Sequence, residues 1–353
     1  MSKMLSTLYI HTFDDYTGST RVLASLLEQK KEKCSVLVIP RNGFLSQTEN
    51  VHIYPIYYPT YKQKHIPFIS GLVSRLYAII WLLINGWKFD IFYINTICPY
   101  YAAVVGRLYR KQIVYHIHEY FVKKDRQVRI AEYVFNHVKA KHIYVSKYLQ
   151  HCYSPQNECT EMVTYNTLPI SFCRDIVPLP LEERKRDTII MVSSLSVAKG
   201  IFTFIEIARR LPEYNFKLVI SSSMLQIQCF IAKKIALDTL PINLQIYSSQ
   251  SDIRPLLYQS DLIVNLSIPE LWIETFGMTI LEAMPFGIPA IVPNVGGPIE
   301  IVENGYNGYC VDVLDVDRIV ILLRHCLEKS HYQQLMLNTL LKYESLKSHE
   351  IDS

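Results

Sequence analysis

Two doubly wound α/β domains in tandem are what this sequence predicts, on three observations. Short apolar runs alternate with helix-period segments along the whole chain, the pattern of a parallel sheet covered on both faces. A proline-containing, charged break over residues 169–187 splits these runs into two series, as an interdomain linker would. At 353 residues the chain is long enough for two domains, each with its own core.

The first series of strand candidates is LSTLYIH (5–11), CSVLVIP (34–40), FDIFYIN (89–95), QIVYHIH (112–118) and HIYVS (142–146). The second is TIIMVSSL (188–195), FKLVIS (216–221), LQIYS (244–248), DLIVNLS (261–267), PAIVP (289–293) and GYCVDV (308–313). The expected domains are therefore 1–168 and 188–335, with 336–353 a closing helix or tail. Ligands of such folds bind outside the carboxyl ends of the strands, so the strand-to-helix loops should carry the chemistry.

Composition removes several classes. Half of the residues are hydrophobic and no segment is low in complexity or repeated, which excludes a disordered chain or a solenoid. The eight cysteines lack CxxC or Cys/His ligand spacing and read as reduced thiols rather than as a zinc site or disulfide framework. The first apolar run meets acidic residues at once, so no signal peptide is read there. In PFISGLVSRLYAIIWLLINGW (67–87) the unbroken apolar run covers only 76–84, short of the ~20 residues a membrane span needs. A helix buried against a sheet is expected, with a peripheral membrane contact left open. Charge is uneven: residues 1–170 hold 20 Lys and Arg against 11 Asp and Glu, whereas 171–353 hold 16 against 21. The basic half suits an anionic partner, nucleic acid or an anionic lipid surface, or a merely solvated face.

Three loops stand out. In FDDYTGSTRVLASLLEQ, Gly18, Ser19 and Thr20 precede a helix, where a glycine and hydroxyls can cradle an anion, although capping alone also selects Ser and Thr. In SSLSVAKGIFTFIEIARRL, Lys199 and Gly200 sit at a strand-to-helix turn. A lysine there opposes the positive helix end unless an anion lies between them or the side chain faces solvent. In ETFGMTILEAM, Gly277 allows close backbone approach, and the N–H groups of Phe276, Gly277 and Met278 should point outward at a helix start. Ile280, Leu281 and Met284 take core positions. Carboxylates repel a diphosphate, so Glu274 and Glu282 should accept hydrogen bonds from hydroxyls instead, and a nucleotide sugar offers these on both sides of its diphosphate. An isolated pair of this kind is more simply a capping glutamate plus an exposed helical one. The Asp-x-Asp at Asp315 and Asp317 lies just before a helix, where capping explains it, so no metal site is assigned.

The run SIPELWIETFGMTILEAMPFGIPAIVPNVGGPIEIVENGYNGYCV resembles the donor-site signature of the GT4-type retaining glycosyltransferases, the glycosyl transferases group 1 with the GT-B fold. The resemblance extends to HIHE (116–119), YVSKYL, YNTLP and the Lys199 region, and so covers most of the chain in order. It implies two Rossmann-like domains facing each other across a cleft, the first for the acceptor and the second for a nucleotide sugar, with no metal and no cofactor beyond that co-substrate. It assigns Glu274 to the transferred sugar, Glu282 to the ribose, Phe276, Gly277 and Met278 to the diphosphate and Lys199 to its charge. Gly18 and Ser19 join the donor site, the base lies over the loop 247–250 with Ser248, and His118 faces sugar and acceptor. A lone histidine at a strand end is otherwise a satisfied core residue. Three departures qualify the match. Ser194 stands near the usual arginine, so Lys199 or Arg21 would carry more of the charge; SSSM replaces a glycine-rich loop; and the closing helix, which in relatives returns towards the first domain, is expected to be short or displaced.

On the acceptor side, HIYPIYYPTYKQKHIPFI (52–69) combines Tyr57 and Tyr58 with Lys62, Lys64 and His65, which suits a membrane interface or sugar stacking. Arg21, Tyr57, Tyr58 and His118 are the expected acceptor contacts. The basic first half adds to the case for a lipid-linked glycan acceptor at an anionic membrane, and nucleic acid is the weaker partner because no binding motif accompanies the charge. The expected function is retaining transfer of a sugar from a UDP or GDP sugar in capsule, O-antigen or exopolysaccharide synthesis, in the cytoplasm or at the inner face of its membrane. A GT-B-like epimerase or phosphorylase, or a non-catalytic nucleotide-sugar-binding component of a polysaccharide assembly complex, stays open.

Overall fold

Seven parallel strands build the first sheet: β1 (Thr7–Asp14), β2 (Cys34–Pro40), β3 (Val51–Pro55), β4 (Ile91–Asn95), β5 (Gln112–Ile117), β6 (Lys141–Tyr144) and β7 (Thr160–Val163). They lie in the order β3-β2-β1-β4-β5-β6-β7. The structure is a computed structural model describing residues 5–59, 67–153 and 160–348, and it divides into two compact units, Met1–Thr164 and Tyr165–Ser353. All five strands expected in the first half are present. β3 and β7 are additional edge strands, and β3 falls inside the Tyr-rich stretch expected to meet the acceptor. Lys62, Lys64 and His65 lie outside the described residues. The sheet is buried through Leu8, Ile10, Val36, Phe92, Ile94 and Tyr115.

The second unit holds β8 (Thr188–Ser193), β9 (Asn215–Ile220), β10 (Leu244–Tyr247), β11 (Leu262–Val264), β12 (Ala290–Pro293) and β13 (Gly308–Val311), parallel and in the order β10-β9-β8-β11-β12-β13. Ile280, Leu281 and Met284 are buried, as the period of MTILEAM requires. The stretch 166–187 lies in this unit, where the buried Arg184 guanidinium donates to the carbonyls of Ser260 and Phe286. The closing helix is not short: Lys329–Ser348 runs for 20 residues and packs here. Met336 and Leu340 lie against Gly287, and Asn338 and Thr339 donate to the carbonyls of Tyr306 and Asn307.

In each unit the strand order reverses once, between β1 and β4 and between β8 and β11. Loops leaving the two sides of a reversal part to opposite faces and open a crevice at the strand ends. That crevice is where each unit gathers its polar side chains.

One expectation is corrected. The helix Pro67–Asn85 is not buried against the sheet along its apolar face: Leu72, Leu76, Ile80, Leu83 and Ile84 are exposed. Apolar content marks a helix that wants to leave water, but it does not say what covers it. Among the described residues no helix is long and apolar enough to cross a membrane. Asp315 caps the helix Val316–Leu327 by accepting from the Arg318 N–H, and Asp317 pairs with Arg210.

Candidate active site

In the second unit the Lys199 and Glu274 loops converge at the switch point. Lys199 ends a short turn, Val197–Lys199, begun by Ser196, whose hydroxyl accepts the Ala198 N–H. Gly200 follows with φ of 74°, and a Cβ there would stand 2.2 Å from the Leu266 carbonyl. Only glycine lets this turn press against the end of β11, a contact closed by the Ile268 N–H on the Ala198 carbonyl. The Lys199 ammonium thereby reaches Glu274 Oε2 at 2.7 Å, across 75 residues of sequence, and lies 4.7 Å from the Trp272 ring centroid.

The Glu274 loop is braced from behind by the VGG turn. A Cβ on Gly296 would meet the Glu274 carbonyl at 2.4 Å, and one on Gly297 the Thr275 carbonyl at 2.0 Å. The Gly297 N–H donates to the Glu274 carbonyl at 2.8 Å. Gly277, at φ of 103°, caps the helix Met278–Ala283. Behind the loop Phe276 is buried, 5.9 Å from the Tyr165 ring, whose hydroxyl donates to Glu300.

Burial raises the Glu274 carboxyl, but the Lys199 charge and the hydrogen bonds from Lys199, Asn265 and Ser267 outweigh it and hold the group below the ordinary carboxylate value. Glu274 is therefore an ionised acceptor with its surroundings already fixed. Glu282 is 4% exposed, which is not the solvated helical position that a lone glutamate in a second turn would take. The Asn265 and Ser267 contacts are absent from the sequence reading; the signal for them is the polar NLS end of the DLIVNLS run.

Ser194 is exposed. The SSSM loop forms a capping box, Ser223 with Gln226, at the start of the helix Met224–Ile231. Ser248 follows β10, and its carbonyl accepts from Gln250.

In the first unit a buried polar chain crosses the ends of β1, β4 and β5. The Asn95 amide nitrogen donates to the Ser19 carbonyl at 3.2 Å, which leaves its oxygen to accept from His118 Nε2 at 2.9 Å. His118 is thus set in the tautomer with the proton on Nε2. His11 sits beside Asn95, 3.2 Å from the same amide nitrogen, and reaches Thr20 through Nε2 at 3.0 Å. Burial, then the neighbouring His116 and His11, hold the His118 pKa well below the ordinary value, so it is a neutral imidazole. His116 is lowered to about 3 by burial and meets the Tyr93 hydroxyl at 2.9 Å.

Glu119, next in sequence, is pushed up to about 7 by burial, opposed by hydrogen bonds from Thr96 and Cys98. Thr96 itself holds φ of 84°, a strained conformation for a β-branched residue. Glu119 closes the HIHE motif but is given no role by the sequence, and Thr96 is not legible there as a site residue.

The helix Gly18–Glu28 begins as expected, but a carboxylate of the chain already sits at its N-terminus. Asp15 Oδ1 accepts the Thr17 N–H at 3.1 Å, the Thr17 hydroxyl at 2.6 Å and the Thr20 hydroxyl at 2.8 Å. This charge opposes an anion there. Ser19 contributes its carbonyl to Asn95, and Arg21 lies 5.6 Å from the Phe44 ring. Tyr57 is exposed, while Tyr58 sits against Phe13 at 6.0 Å.

Two parallel sheets, each with its polar groups at a switch point, match known structures over nearly the whole chain. Anabaena HepE, crystallised with UDP and glucose, superposes with a TM-score of 0.78 at 19% identity over 97% of this chain and 95% of that one. WaaG, a glycosyltransferase involved in lipopolysaccharide biosynthesis, superposes with a TM-score of 0.73 at 12% identity over 96% and 95%. The fold is GT-B. Residues 178–339 match the family model for glycosyl transferases group 1. Shorter stretches resemble the sucrose synthase of Melioribacter roseus, 35% identical over 20% of this chain and 9% of that protein. They also resemble the N-acetyl-alpha-D-glucosaminyl L-malate synthase of Bacillus anthracis, 38% identical over 21% of this chain and 20% of that one.

Proposed function

We infer that the chain is a retaining glycosyltransferase that moves a sugar from a nucleotide diphosphate sugar, UDP- or GDP-linked, to a glycan acceptor. The observation that carries this is the Lys199–Glu274 pair at 2.7 Å in a loop region matched by the family. An ammonium has three donors, so Lys199 can hold Glu274 with one and a phosphate oxygen with another. Glu274 accepts from hydroxyls of the transferred sugar, Glu282 from the ribose, and the N–H groups of Phe276, Gly277 and Met278 donate to the diphosphate. Ser248 lies under the base, and Gly18 and Ser19 belong to the donor site from the first unit on the side of its hydroxyls, because Asp15 opposes a phosphate at that helix start. Charge grows on the leaving diphosphate in the transition state, where fixed donors lower the barrier most. No protein base is assigned: the leaving phosphate takes the acceptor proton on the same face, and neutral His118, held by Asn95, orients hydroxyls. No metal is required in this scheme.

The acceptor is a lipid-linked glycan of cell-surface polysaccharide synthesis, met at an anionic membrane. The basic first half supports this, with Arg21, Tyr57 and Tyr58 as acceptor-side contacts. Lys199→Ala and Glu274→Ala should each lower turnover about 100-fold or more, the size of losing one transition-state donor, with melting temperatures kept. Near-normal turnover in both overturns the assignment.

A further inference from the structure

The helix Pro67–Asn85 is amphipathic the wrong way round for a helix that merely covers a sheet. The stripe it buries is small: Ser70, Ser74 and Ala78, then Leu82. The two serines satisfy their hydroxyls on the carbonyls of Pro59 and Ser70. The stripe it exposes is large and aliphatic, with Ile80 56% and Ile84 63% exposed. A surface helix of a soluble domain shows the reverse distribution.

The exposed stripe does not end with the helix. Trp87 in the next turn is 62% exposed, and the helix Tyr100–Leu108 adds Val104 and Leu108, the latter 68% exposed. Two bonds tie these pieces into one surface: the Tyr109 hydroxyl donates to the Leu83 carbonyl at 2.5 Å, and the Lys111 ammonium to the Trp87 carbonyl at 3.0 Å. Single exposed apolar side chains are ordinary, but a contiguous set marks a contact surface.

Charge says what the contact is. Between residues 50 and 118 the chain holds seven Lys and Arg and a single acid, Asp90, and that carboxylate is turned onto the N–H and hydroxyl of Ser6. Lys88, Arg107 and Arg110 are exposed beside the apolar stripe. A second copy docked face to face would set these bases against their own images. A lipid surface instead offers acyl chains to the stripe and phosphates to its basic border.

We propose that the C-terminal half of the helix Pro67–Asn85, the turn that follows and the end of the helix Tyr100–Leu108 form one docking face for an anionic bilayer. The aliphatic side chains and Trp87 enter the headgroup–acyl boundary. Lys88, Arg107, Arg110 and Lys111 meet the lipid phosphates. This face lies where the chain enters β4 and β5, at the amino ends of the strands and away from the crevice, so it anchors the chain independently of the acceptor contact proposed above and needs no sugar transfer.

The test is co-sedimentation of the full chain, without substrate, with vesicles of phosphatidylcholine alone or containing phosphatidylglycerol. Binding should require the anionic lipid and weaken with salt. Arg107→Gln and Arg110→Gln should each lower partitioning about fivefold. Ile80→Ser with Leu108→Ser should lower it more than about tenfold while the melting temperature holds, because both positions are exposed. No binding to the anionic vesicles, binding indifferent to the Ile80/Leu108 pair, or a concentration-dependent dimer lost in that pair overturns the proposal. Vesicle binding by a chain that transfers no sugar leaves this face standing and removes the transferase reading.

Discussion

The crevices of the two units treat charge in opposite ways. In the second, burial would neutralise Glu274, but Lys199 and three side-chain hydrogen bonds keep it ionised. In the first, nothing offsets burial at His116 and His118, and Glu119 is shifted to about 7 despite two hydrogen bonds. One crevice holds a fixed anion and a cation side by side. The other holds the neutral imidazoles of His116 and His118, which donate or accept hydrogen bonds without attracting an anion, and at its edge the Asp15 carboxylate bound to Thr17 and Thr20. A diphosphate with hydroxyls on either side suits the first, and uncharged hydroxyls suit the second.

The difference also lies in how the polar groups are held. Glycines do it in the second unit, by allowing backbone to approach backbone behind Lys199 and Glu274. Among the glycines with ordinary backbone angles, a large effect on stability is therefore expected from Gly297→Ala. Its Cβ would lie 2.0 Å from the Thr275 carbonyl, and the φ of −65° is ordinary, so the cost is overpacking alone. About 1–3 kcal/mol is typical, read as a fall in melting temperature together with lost turnover as the Glu274 loop shifts. A variant as stable and active as the parent would show that the VGG turn does not brace the loop.

A smaller effect tests the first unit. Glu119 has a folded pKa above its unfolded value, so its contribution to stability is complete below the unfolded pKa and is lost as pH rises towards about 7. Glu119→Gln removes that loss. Its melting temperature should exceed the parent's at pH 8 and not at pH 4, where both side chains are neutral. A difference of equal size at both pH values would mean that the carboxyl is not buried as a neutral group.

How much of this is legible in the sequence follows from the range of each interaction. The eleven expected strands are local apolar runs, and all are present. β3 and β7 are edge strands of five and four residues, partly exposed, so their apolar signal is weak. The carboxylate chemistry of Glu274 can be argued from a loop and a helix start. Its partners Asn265 and Ser267 cannot, because the loop folds back on β11 only in three dimensions. The Asn95–His118 bond joins two adjacent strands whose pairing no local pattern specifies. The helix Pro67–Asn85 is legible as a helix but not in its facing, since apolar residues on a wet surface and in a core read alike.

The central claim is that Glu274 reads the transferred sugar while Lys199 reads the diphosphate. Calorimetric titration of the parent and Glu274→Ala, each with a nucleotide diphosphate sugar and with the free nucleotide diphosphate, tests it most directly. A lost hydrogen bond to a charged group is worth about 1.5–3 kcal/mol, so the variant should bind the nucleotide sugar at least about tenfold more weakly. The free nucleotide should bind it as tightly as it binds the parent, or more tightly, because the Lys199 ammonium is released from its carboxylate. Equal losses for both ligands, or none for either, would contradict the assignment.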